Sequence, residues 1–182
     1  MGPELLVVGV LSIAAGWLYT GGPKPYGYLG LGELFVFAFF GVVATTGSSY
    51  VQLEEVQGLA LGASVPVGFL ATALLVVNNL RDIPSDRVSG KRTLAVRMGD
   101  KATRVLYVTL IVGAFVATPF VAGLGERPAG ALALLAVLLA QRPVGRVLTG
   151  ASGADLIPVL AETGRVQLAY GALLALGLAL SA

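Results

Sequence analysis

The run Asn78-Asn79-Leu80-Arg81-Asp82-Ile83-Pro84-Ser85-Asp86-Arg87, followed by Gly90-Lys91-Arg92-Thr93, decides how the rest of the chain is read. It closes a long apolar segment and carries two of the ten carboxylates in the sequence. Asp82 and Asp86 are four residues apart, so on a helix they stand on one face a turn from each other, and Asn78 extends the same row. Three oxygen-bearing side chains at the end of a membrane span suit a hard cation such as Mg²⁺. That ion takes one or two carboxylates and leaves the rest of its shell to substrate phosphates. The neighbouring cations Arg81, Arg87, Lys91 and Arg92 suit those phosphates.

Composition fixes the setting. The 182 residues are 56% hydrophobic and 12% charged, with a mean hydropathy of +0.86. Soluble domains carry about 25% charged residues, so the chain reads as an all-α, multi-pass membrane helix bundle. A net charge of +2 gives no reason to expect nucleic acid as a partner. With no cysteine there is no disulfide or thiolate metal site, and with no histidine the commonest metal ligand and general base is missing. Chemistry here must rest on carboxylates, tyrosines, lysines, arginines and backbone groups.

Outward from the motif, Val56 to Leu80 forms a span long enough to carry the polar residues past the hydrocarbon, and Pro84 should kink or end it. Upstream, Leu34 to Val51 is a Phe-rich span, and Leu5 to Tyr19 is an apolar helix slightly short for a crossing. Between those two, residues 20–30 are too rich in Gly and Pro to be helical. Downstream, residues 81–104 are densely charged, and spans follow at Val105–Gly123 and from Pro128 through Ala140. Residues 141–165 read as a polar connection in which Asp155 caps a short helix, and Val166–Leu180 closes the chain. Six spans result, in one domain. If the 81–104 segment is cytoplasmic, eleven of the twelve Lys and Arg fall on that side and only Arg127 does not, as the positive-inside rule expects. Localisation in the cell membrane with cytoplasmic active-site loops follows, and the N-terminus then begins outside.

Several residues carry simpler readings. Arg97, Lys101 and Arg104 read as topology and lipid-facing cations. Arg142, Arg146 and Arg165 read as snorkelling side chains, with Arg165 within possible reach of the site. Tyr28, Tyr50 and Gln52 suit the interface. Gly41, Gly47, Gly58 and Gly62 read as helix-packing positions.

Four stretches together resemble the UbiA superfamily of intramembrane prenyltransferases, and within it the branch acting on 1,4-dihydroxy-2-naphthoate. They are Tyr19-Thr-Gly-Gly-Pro-Lys-Pro-Tyr-Gly-Tyr-Leu-Gly-Leu-Gly-Glu33, Phe35 through Gln52, the Asp82/Asp86 motif, and Gly90-Lys-Arg-Thr-Leu-Ala-Val-Arg-Met-Gly99. The resemblance implies a nine-helix bundle with two opposed aspartate-rich motifs. Asn78, Asp82 and Asp86 match the second, and the chain has no counterpart of the first. Its six helices look like the family's fourth to ninth, so the domain is expected to be N-terminally incomplete, a C-terminal two-thirds. The implied reaction transfers a polyprenyl group from polyprenyl diphosphate to 1,4-dihydroxy-2-naphthoate with loss of CO₂ and diphosphate, giving demethylmenaquinone. Mg²⁺ would sit at Asp82, Asp86 and Asn78. Lys24, Lys91, Arg92, Arg81, Asn79, Tyr19 and Tyr26 would contact diphosphate or acceptor. The alternatives are a UbiA-type enzyme with another acceptor and a non-catalytic membrane protein that binds prenyl diphosphate or quinone.

Overall fold

The computed structural model describes residues 3–23 and 25–181. Among them there is no strand, and the long apolar runs have become helices. These are α1 (Glu4–Thr20), α2 (Gly32–Leu53), α3 (Gly58–Val88), the short α4 (Leu94–Met98), α5 (Asp100–Leu124), α6 (Pro128–Leu148) and α7 (Gly153–Leu180). Five of them, α2, α3, α5, α6 and α7, are long and apolar enough to cross a membrane. The expected sixth span, α1, has 17 residues, about 25 Å of helix against a hydrocarbon core of about 30 Å.

α3 is the axis of the bundle. Its 31 residues pack against α2, α5, α7 and α4. Of the kink or end expected at Pro84, the end does not occur: the helix runs through to Val88. A proline removes a single backbone donor, and the turns on either side stay tied, with Ser85 Oγ donating to the Asp82 carbonyl and the Ser89 amide to the Ser85 carbonyl. The motif is therefore helical throughout.

The polar stretch 141–165 also differs from its reading as a connection. Only residues 149–152 lie between helices, because α6 continues to Leu148 and α7 begins at Gly153. Ser152 holds the N-cap position and Asp155 sits inside the first turn. Arg142 and Arg146 are four apart and so share a helix face, which the low hydropathy of the stretch conceals. Between α1 and α2, residues Tyr26–Leu29 form one 3₁₀ turn, ending at Gly30 with φ of 77°. There the Gly- and Pro-rich stretch is locally helical after all.

Buried side chains recur at helical spacing on both α5 and α7. On α5 these are Tyr107, Ile111, Ala114, Thr118 and Val121, and on α7 Val159, Thr163, Val166, Tyr170 and Leu174. Two hydroxyl pairs connect the helices and form a polar seam, Tyr107–Thr163 at 2.7 Å and Thr118–Tyr170 at 2.9 Å. In a medium without water each hydroxyl needs such a partner. Arg104 bridges Asp100 at 2.7 Å and donates to the Val147 carbonyl at 2.7 Å, and Arg127 donates to the Leu178 carbonyl at 2.8 Å. Both cations therefore hold helix ends together.

α2 meets α3 at an unusually close crossing. Residues Phe37–Val43 of α2 are wound as a π-helix, and there a Cβ on Gly41 would lie 2.5 Å from the Gly68 Cα. Gly41 thus has the packing role expected of it, with Gly68 as the unforeseen partner. Gly62 faces Leu124, whereas Gly47 and Gly58 have open space beside them among the described residues.

Candidate functional site

The C-terminal turns of α3 present Asn78, Asp82 and Asp86 in the expected row. Asn78 Nδ2 donates to Asp82 Oδ2 at 3.4 Å. Arg81 grips the same carboxylate with two bonds, Nε to Oδ1 at 2.7 Å and Nη2 to Oδ2 at 2.8 Å. Asp86 is buried and turns to a different set: Thr93 Oγ1 donates to its Oδ2 at 3.5 Å, and Lys91 Nζ lies 3.7 Å from its Oδ1. Each carboxylate thus has a cation of its own. Arg87, counted among the cations suited to phosphates, takes no part in an ion pair among the described residues.

The segment after α3 is folded back by its own sequence. Gly90 adopts φ of 75°, the Lys91 amide donates to the Asp86 carbonyl, and Thr93 caps α4 by accepting from the Val96 amide. This places Lys91 beside the motif, 5.0 Å from the Tyr28 ring centroid in a cation–π contact. The turn carrying Tyr28 docks there through its backbone: the Arg92 amide donates to the Tyr28 carbonyl, and Gly30 packs against Arg97. Arg97 in turn donates to the Arg92 carbonyl at 3.0 Å, so it braces the turn. Arg92 enters this arrangement through its backbone. Lys24 lies outside the described residues.

Tyr19 and Tyr26 stand on the other side of that turn. Tyr26 donates to the Ala15 carbonyl at 2.8 Å and stacks on Phe35, with ring centroids 3.9 Å apart. Burial pushes its hydroxyl above the ordinary phenol range, so it remains a donor. Both tyrosines line an apolar cleft of about 570 Å³ between α1 and α2, with Leu75 of α3 in its wall. The remaining lining includes Phe35, Phe39, Phe40 and Val43. A cleft of this volume and character suits a chain of hydrocarbon units.

Asn79 bonds to none of the aspartates and instead donates to Glu33 Oε1 at 3.0 Å. Glu33, buried near the start of α2, carries no role in the sequence reading beyond ending the Tyr19–Glu33 stretch. An acid embedded at the start of an apolar span was the available signal. Thr93 was likewise overlooked, as was Glu162. The latter lies with Leu138, Leu139, Arg142 and Arg165 around a separate cleft of about 390 Å³, with Arg146 at 3.6 Å. Arg165 lines that cleft and makes no hydrogen bond or ion pair with the aspartate row among the described residues.

No three acidic, histidine or cysteine side chains converge among the described residues. The donors in the row are all hard oxygens, two carboxylates and an amide. That set fits a cation whose shell is completed by a phosphorylated ligand, and it does not form a cage by itself.

Comparison with known proteins adds to this geometry. The UbiA prenyltransferase family matches residues 1–155. The chain is 49% identical to the 1,4-dihydroxy-2-naphthoate octaprenyltransferase of Mycobacterium tuberculosis over 168 residues, covering 92% of this chain and 57% of that protein. Proteins of the same name are similar in Haemophilus influenzae (36% identical, 94% and 56% covered) and Bacillus subtilis (34% identical, 97% and 57% covered). The chain thus spans somewhat over half the length of these curated relatives. No solved structure matches it.

Proposed function

The chain belongs to the UbiA prenyltransferase family, and from that premise we propose that it serves the transfer of a polyprenyl group from polyprenyl diphosphate to 1,4-dihydroxy-2-naphthoate. The observation that carries this reading is the meeting of the aspartate row, Lys91 and the tyrosine-lined apolar cleft around one docked turn. The likeness to named octaprenyltransferases supports the choice of acceptor.

Asn78, Asp82 and Asp86 would hold magnesium together with the diphosphate oxygens. When bound, the ion supplies Lewis-acid neutralisation of the diphosphate. Lys91, half-exposed and only loosely held by Asp86, can swing its ammonium onto the departing diphosphate. Arg81 orients Asp82 through its two bonds, and Arg92 adds positive charge nearby. The allylic C–O bond breaks and diphosphate leaves with the electron pair. The ring carbon bearing the carboxylate forms the new C–C bond, CO₂ departs, and its electrons restore the aromatic ring. The product is the reduced, quinol form of demethylmenaquinone. No strong protein base is needed, in keeping with a sequence that lacks histidine. The cleft at Tyr19 and Tyr26 would keep the isoprenoid dry. A cell-membrane location with the motif facing the cytoplasm is part of the same proposal, resting on the placement of Lys and Arg.

The test is an assay of membranes carrying the protein, with a polyprenyl diphosphate and 1,4-dihydroxy-2-naphthoate as substrates. The expected result is Mg²⁺-dependent CO₂ release that Asp82→Asn lowers by roughly 100-fold or more. A variant retaining the wild-type rate would overturn the metal assignment, and a preference for 4-hydroxybenzoate would overturn the acceptor. A second reading, a site that holds prenyl diphosphate or quinone without turnover, draws on the absence of a third acidic group beside the row among the described residues.

A further inference from the structure

Glu33 is 8% exposed, and its two oxygens have different fates. Oε1 accepts the hydrogen bond from Asn79, while Oε2 is fully buried and has no partner among the described residues. A buried carboxylate oxygen without a donor is costly, and the nearby structure explains where a donor would arrive. Gly32 packs against the Tyr19 ring and Leu75: a Cβ there would be 3.3 Å from Tyr19 Cε2, 3.4 Å from Leu75 Cδ2 and 3.6 Å from the Tyr19 hydroxyl. Tyr19 and Leu75 both line the apolar cleft. Leu75 and Asn79 are four apart, so Asn79 and the carboxylate it holds lie one turn of α3 beyond the cleft. Asn79 and Asp86 are seven apart, so they share a face of α3 two turns from each other. Glu33 therefore stands between the apolar cleft and the aspartate row, with one acceptor unused.

We propose that Glu33 Oε2 receives the hydrogen bond of a ring hydroxyl on a hydroxylated aromatic acceptor, making Glu33 an acceptor-binding residue. The inference rests on the prenyl-transfer reading above. Asn79 fixes the carboxylate from one side, and the incoming hydroxyl satisfies the other. A hydroxyl held by a carboxylate also pushes electron density into its ring, which favours attack by ring carbon on an allylic cation.

Glu33→Gln discriminates this role from simple support of Asn79. The amide retains an oxygen for Asn79 but offers an NH₂ donor where Oε2 stood. In membranes, the variant is expected to raise KM for the dihydroxynaphthoate acceptor roughly ten-fold or more, with KM for the prenyl diphosphate unchanged. An acceptor analogue lacking one ring hydroxyl should bind the wild type roughly ten-fold more weakly and show no such penalty in Glu33→Gln. Infrared difference spectra of wild-type protein carrying ¹³C-labelled glutamate provide a measurement that needs no variant. Adding acceptor should shift a buried glutamate band. Unchanged acceptor KM in a folded Glu33→Gln protein, or no glutamate band shift on binding, would overturn the inference alone. Failure of the wild-type protein to bind or turn over the acceptor would instead overturn the reading beneath it.

Discussion

Replacing Gly41 by alanine tests the α2–α3 crossing that shapes the cleft. The new Cβ would lie 2.5 Å from the Gly68 Cα, 3.1 Å from the Gly68 nitrogen and 3.1 Å from the Ser64 carbonyl oxygen. All three are backbone atoms, so no side-chain rotation relieves the overlap and the helices must separate by about 1 Å. Overpacking of this kind costs roughly 1–3 kcal/mol, and a backbone clash belongs at the upper end. Alanine regains about 1 kcal/mol of helix propensity, leaving a net loss of about 2 kcal/mol. For a chain of this size that corresponds to a fall of roughly 4–8 °C in Tm. Gly47, on the same helix, has nothing within 4 Å of a Cβ, so Gly47→Ala should keep or raise Tm by up to about 4 °C. The assay is thermal unfolding in detergent, followed by helical signal, on both variants beside the wild type. Equal midpoints for the two variants, or a Gly41→Ala protein as stable as the wild type, would refute the close-crossing argument.

Further outcomes follow from the same geometry. Lys91→Met should lower kcat/KM for prenyl diphosphate roughly ten-fold, yet leave Tm nearly unchanged because the pair with Asp86 is partly exposed and long. A large loss of stability with normal turnover would reverse its role. Tyr107→Phe should cost about 1 kcal/mol and lower Tm by roughly 2–4 °C. The loss stays small because Thr163 retains its bond to the Val159 carbonyl at 2.7 Å. Tyr170→Phe should behave alike, since Thr118 keeps the Ala114 carbonyl, and an unchanged midpoint in both would argue against the hydroxyl seam.

Periodicity made the aspartate row legible: residues four apart on one helix must share a face, and Asn78, Asp82 and Asp86 do. It could not reveal Glu33 against Asn79, a contact spanning 46 residues of sequence. That pairing depends on how Gly32 lets α2 rest on Tyr19, a matter of packing. The 141–165 stretch misled for another reason. Hydropathy averages over a helix, so arginines on one face of α6 looked like a loop. Pro84 left a kink or an end open; one missing donor does not end the helix, because the surrounding turns hold it together. Tyr28 was foreseen as interfacial, and its place under Lys91 emerged only once the Gly90 turn brought the two segments together.

The π-wound segment Phe37–Val43 has a consequence for how this helix tolerates change in length. A π turn accommodates about one residue more than an α turn over the same rise, so the two halves of α2 are out of phase with a continuous α-helix by about 100°. Loss of one residue within this segment could be absorbed by winding it as ordinary α-helix. Glu33 and Phe35 would then keep their facing at one end, and Tyr50, which donates to Glu4 at 2.9 Å, at the other. The same deletion elsewhere in α2 would rotate one end against the other. The segment is therefore a register buffer, where a one-residue deletion in α2 need not propagate to the site.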